Sequence, residues 1–113
     1  MIDPHAAHST FNDEALTKKL ANVLARTTIG EGNVVPFTPV MGSEDFSEYG
    51  RAGVPAVLFW IGATEPATFA AFRAKGTWPP GNHSPLFAPD KERTIRTGVT
   101  VLTAGALELL GKP

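Results

Sequence analysis

The sequence predicts an α/β fold, a partial layered sheet with helices packed on it. Residues 12–30 read as an amphipathic helix, 54–62 as a strand apolar on both faces, and 91–110 as a long helix behind a proline-rich loop. Strand, loop and helix in that order is how open α/β sheets present ligands at the carboxyl ends of their strands. A chain of 113 residues, 42% hydrophobic and 19% charged, supports one modest core and is too short for two domains. Residues 1–11 lack periodicity and are expected to form a flexible or extended lead-in to a single body at 12–113.

Each element has a local reason. Asn12 is a good N-cap, Asp13 and Glu14 suit the positive end of a helix dipole, and Gly30 is the expected stop. Leu16, Leu20, Val23, Leu24 and Thr27 form one apolar stripe, with Lys18, Lys19, Asn22 and Arg26 off it, so this helix is expected to lie on a flat surface such as a sheet. Glu31-Gly32-Asn33 is turn chemistry, and Val34-Val35 reads as a short strand before Pro36. Met41-Gly42-Ser43-Glu44-Asp45-Phe46 reads as a loop entering a short helix, with Gly42 open to unusual dihedrals, Ser43 as N-cap and two acids in the first turn. Val54 to Gly62 is the strongest strand, and Pro55 fits only its first position. Residues 63–77 are expected to form a short helix before Gly76. Asp90 caps the last helix, whose expected buried stripe is Ile95, Val99, Leu102, Ala106 and Leu109, with Gly98 and Gly105 allowing a neighbour close. Gly111 and Pro113 end it.

Composition excludes several functions. A net charge of -1 and scattered basic residues give no footprint for nucleic acid or an anionic membrane. Without cysteine there is no disulfide framework and no thiolate nucleophile, so any metal must be held by His, Asp or Glu. The start carries neither a basic n-region nor an apolar h-region, and the longest apolar run, 54–61, falls short of the roughly 20 residues of a membrane span. A cytoplasmic protein is the expectation.

The loop 79–90 holds the chemistry. Prolines at 79, 80, 85 and 89 stiffen it around His83, its one side chain able to ligate a metal or move a proton near neutral pH. Ser84, locked ahead of Pro85, is expected to orient the loop, and Trp78 either lines a pocket with His83 or covers the local core. No Gly-x-Ser-x-Gly elbow or phosphate-cradling glycine run is present. A stiffly mounted imidazole suits zinc, manganese, cobalt or nickel, yet a catalytic metal needs about three protein ligands. Two readings therefore stand for His83, metal ligand or hydrogen-bonded loop residue. The turn at 42–45 likewise is either a capped helix start or a place where main-chain N–H groups meet an anion and an acid sits near a metal. His5 and His8 would share a helix face, but Pro4 and the terminal position argue against an ordered helix there.

Met41-Gly42-Ser43-Glu44-Asp45-Phe46-Ser47-Glu48-Tyr49 and Asn82-His83-Ser84-Pro85-Leu86-Phe87, parted by an apolar strand and followed by a long helix, resemble the carboxyl-terminal end of a metal-dependent amidohydrolase family. That family, of the zinc-peptidase-like clan, includes hippurate hydrolases, N-acyl-amino-acid aminoacylases and indole-acetyl-amino-acid hydrolases. The likeness runs from about residue 11 to 110 and covers about the last quarter of the family's usual length. It implies the carboxyl-terminal part of a catalytic domain in which two divalent metals activate water to cleave the amide of an N-acyl amino acid, with a glutamate shuttling the proton. It implies His83 as a metal ligand and Gly42, Ser43, Glu44 and Asn82 as residues facing or supporting the substrate. The other ligands and the general base would lie in an amino-terminal part that this chain lacks, so no catalytic residue is assigned here. The chain alone is expected to be inactive, and to self-associate or seek its missing half. The other readings are a non-catalytic interaction or scaffold module on the same fold and part of a related dipeptidase.

Overall fold

The computed structural model describes residues 8–27, 29–42 and 44–111, and four α-helices form among them: α1 (Glu14–Thr27), α2 (Ser47–Arg51), α3 (Pro66–Ala74) and α4 (Lys91–Leu110). The chain divides into two compact units, 1–59 with 101–113, and 60–100. No strand is assigned among the described residues, and both 34–35 and 54–62 run as coil.

In the first unit, α1 forms as its stripe predicts. Leu16, Leu20, Val23 and Leu24 are half-buried, whereas Lys18, Lys19, Asn22 and Arg26 are exposed. The cap is Asp13, not Asn12: Asp13 Oδ1 accepts the Leu16 N–H at 2.7 Å and its carbonyl accepts the Thr17 N–H at 2.9 Å. Asn12 is used elsewhere, because its amide both donates to the Leu58 carbonyl and accepts the Leu58 N–H, each at 2.8 Å. A carboxylate has no donor and could not close that pair. Beside it the Asp13 N–H donates to the Ala56 carbonyl at 2.9 Å, so two residues of the coil 54–62 are held as a strand's would be. Helix α1 ends at Thr27, where the Ile29 N–H donates to the Leu24 carbonyl at 3.1 Å, and Gly30, with φ 84°, leads into a 3-10 turn at Glu31–Asn33.

The face of α4 is the main departure from the sequence reading. In its second half the inward positions are Val101, Ala104, Gly105 and Glu108, while Leu102 is 63% exposed and Ala106 and Leu109 also face out. A Cβ at Gly105 would lie 3.7 Å from Leu20 Cδ2, and Glu108 pairs with Lys19 at 3.2 Å. The small side chains let the backbone come close, which the large stripe would prevent. Val101, at 5%, is the buried hydrophobic of the described residues.

The second unit shows the same inversion in the first half of α4. Thr94, Thr97 and Gly98 are half-buried, Ile95 is 65% exposed, and a Cβ at Gly98 would sit 3.4 Å from Ile61 Cδ1. Asp90 caps the helix as expected, accepting the Arg93 N–H at 3.2 Å on Oδ1 and the Thr94 N–H at 3.0 Å on its carbonyl. Its own N–H donates to the Ala63 carbonyl at 2.8 Å.

Helix α3 forms before Gly76, which takes φ 70°. Its cap is Glu65, whose carboxylate accepts the Ala67 N–H at 3.0 Å and the Thr68 N–H at 2.7 Å, with Pro66 next in line. These N–H groups, Ala67 first, hold the Glu65 carboxyl below the usual glutamate range. The cap therefore contributes fully above that range and is lost as pH falls through the lowered folded value. An NMR titration should show the Ala67 and Thr68 amides moving with the Glu65 carboxyl, and Glu65→Gln should remove that dependence.

Candidate functional site

Residues 81–87 fold into two successive turns. The Ser84 N–H donates to the Gly81 carbonyl at 2.9 Å and the Phe87 N–H to the Ser84 carbonyl at 3.1 Å. Ser84 Oγ accepts the Leu86 N–H at 3.2 Å, so this serine does orient the loop. Asn82 and His83 are the two central residues of the first turn, and both are exposed. The His83 imidazole forms no hydrogen bond or ion pair among the described residues, so neither ring nitrogen is committed. Behind the loop, Trp78 packs on α3: the Arg73 guanidinium lies 4.1 Å from its ring centroid and Phe69 meets it edge-on at 5.9 Å. Trp78 is thereby occupied by a cation and an aromatic ring of its own unit.

The turn at 42–46 belongs to the first unit. Glu44 Oε1 accepts the Phe46 N–H at 3.1 Å and its carbonyl takes the Ser47 hydroxyl at 3.4 Å. Helix α2 starts later than expected, at Ser47, and no side chain caps it through Phe46. Ser43 itself lies outside the described residues, as does His5. Gly42 is exposed, and the positive-φ glycines are Gly30, Gly53 and Gly76, so Gly42 does not use the left-handed region. Ser47, 5% exposed, is the buried polar residue here, and nothing in the local sequence pattern singled it out.

A hollow of about 480 Å³ also opens in the first unit, lined by Ser9, Thr10, Asp13, Phe46, Arg51 and Val54 among others. Gly42 and Glu44 are not in its wall. Asp13 is already spent on α1 and Arg51 pairs with Glu48 at 3.2 Å.

The donor set decides what a metal would find. Among the described residues no three His, Cys, Asp or Glu side chains come together as a ligand cluster. One uncommitted imidazole on a stiff turn is a single donor. Among the described residues, no catalytic metal centre is assembled.

What the fold and loop define is a helical chain that carries an exposed imidazole at the head of a fixed turn. The sequence model of peptidase family M20/M25/M40 matches residues 2–72, and the chain belongs to that family of metallopeptidases and amidohydrolases. The match includes the turn at 42–46 and ends before Asn82 and His83. No solved structure matches the chain. Members of the family generally depend on divalent metals, and among the described residues no helix is long and apolar enough to cross a membrane.

Proposed function

We propose that this chain is the carboxyl-terminal part of an amidohydrolase of the family that cleaves the amide bond of N-acyl amino acids. The observation that carries the reading is the uncommitted His83 imidazole, held at the head of a turn that Ser84 fixes through both its main chain and its hydroxyl. In this reading His83 is one ligand of a centre that holds two divalent metals, drawn from zinc, manganese, cobalt or nickel. Asn82 beside it, and Gly42, Ser43 and Glu44 on the other turn, face or support the substrate. The remaining ligands and the general base come from residues outside this sequence. The coil at 54–62 becomes a strand of a layered α/β sheet once that part is beside it, and the protein works in the cytoplasm.

The isolated chain, with no ligand cluster among its described residues, should hydrolyse hippurate no faster than buffer, with or without added zinc, manganese or cobalt. Vigorous hydrolysis by the purified chain that stops on chelation would overturn the proposal that its catalytic residues lie elsewhere. Unchanged inactivity after addition of the family's amino-terminal part, with the two parts bound, would instead count against the amidohydrolase assignment.

A further inference from the structure

The chain has four asparagines, Asn12, Asn22, Asn33 and Asn82, and all four are exposed. Exposure does not tell them apart, but their hydrogen bonds do. Asparagine is a chemically labile side chain: it loses its amide when the main-chain nitrogen of the next residue reaches its Cγ, which requires that nitrogen and the side-chain amide both to be free. Asn12 is held at both places. Its amide is closed on Leu58 by two bonds of 2.8 Å, and the Asp13 N–H donates to the Ala56 carbonyl at 2.9 Å. Asn22 lies inside α1, where the Val23 N–H belongs to the helix ladder. Asn33 donates through Nδ2 to the Ile29 carbonyl at 2.6 Å, and the Val34 N–H donates to the Glu31 carbonyl at 3.5 Å. Both valines also crowd their own nitrogens with a branched Cβ.

Asn82 differs in each respect. With His83 it forms the central pair of the turn closed by the Ser84 N–H on the Gly81 carbonyl, and a turn of this kind uses only its outer groups. Among the described residues neither the Asn82 amide nor the His83 N–H has a hydrogen-bond partner. His83 is unbranched at Cβ, and Gly81 brings no side chain to the other flank.

We infer that Asn82 is a site of spontaneous deamidation, with water as the co-reactant. The His83 main-chain nitrogen forms a bond to Asn82 Cγ, the Cγ–Nδ2 bond breaks, and ammonia leaves with the proton that the attacking nitrogen gives up. Water then opens the succinimide at either carbonyl, which leaves aspartate or its β-linked isomer at position 82. Nothing is oxidised or reduced. The product adds a negative charge to a chain of net charge -1 and sets a carboxylate beside the His83 imidazole. The β-linked isomer also inserts a methylene into the main chain of a turn now closed at 2.9 Å. The inference stands apart from the amidohydrolase reading, and its failure would leave that reading untouched.

Peptide mapping by mass spectrometry tests it, on the whole chain kept for weeks in warm neutral buffer and, alongside, in denaturant. Three hydrogen bonds must open before Asn12 can react, each worth roughly fivefold, so Asn82 in the folded chain should lose its amide at least about tenfold faster than Asn12. In denaturant, where those bonds are gone, the gap should narrow to a few-fold. Isoelectric focusing should show an acidic species growing as ammonia is released. Asn82→Gln, which would need a larger ring, should suppress that species, and His83→Val should slow its growth by crowding the attacking nitrogen. Asn82 keeping its amide in the folded chain overturns the inference, because the stiff loop would then hold Cγ away from the His83 nitrogen. So does Asn12, Asn22 or Asn33 reacting as fast as Asn82 in the folded chain.

Discussion

Replacing His83 by alanine, in a complex of this chain with the amino-terminal part of the family's catalytic domain, is expected to lower hippurate turnover more than about a hundredfold. The bound metal should fall by about one ion per site. The magnitude separates two roles. Loss of an outer-shell partner of a metal site costs about 10- to 100-fold in affinity or activity, whereas loss of a direct ligand opens the coordination sphere itself. The substitution is clean because the imidazole has no partner among the described residues and the loop is held by Gly81, Ser84, Leu86 and Phe87, so circular dichroism should not change. Unchanged metal content with a loss of only a few-fold would make His83 a supporting residue, and unchanged turnover would remove it from the site.

Val101→Asp should abolish cooperative unfolding of the first unit, while Val99→Asp, two residues away on α4, should move stability by less than about 0.5 kcal/mol. Val101 is 5% exposed and Val99 is 62% exposed. Trimming Val101 to alanine costs roughly 1.5 kcal/mol in lost burial. A carboxylate at that position adds the penalty of a charge with no partner, against stability that is small for any domain and smaller for one with so little buried apolar surface. Thermal melts followed at 222 nm compare the two. If Val99→Asp were the more damaging, the large stripe would be the buried one and the inward face assigned to α4 would be wrong.

Where the sequence reading held, the cause was local. The amphipathic stripe of α1, the Asp90 cap, the helix before Gly76 and the orienting role of Ser84 all depend on residues within a turn or two of one another. The family too was legible, through the motif at 41–49, because a motif is itself a local pattern.

The misplacements have a long-range cause. Asn12 and Asp13 are both good caps, and the choice fell to Asp13 because Leu58, 46 residues away from Asn12, needs a side chain that can donate and accept at once.

Sequence alone determined which segments are helical, the cap of the last helix, the stiffness of the His83 loop and the family to which the chain belongs. Only tertiary structure decided which side of α4 faces in. That helix carries two stripes, one of large apolar residues and one of small ones, and periodicity alone cannot rank them. Gly98 and Gly105 let Ile61 and Leu20 approach to within 3.4 and 3.7 Å of where a Cβ would stand, and a helix that packs so closely must turn its bulky side chains away.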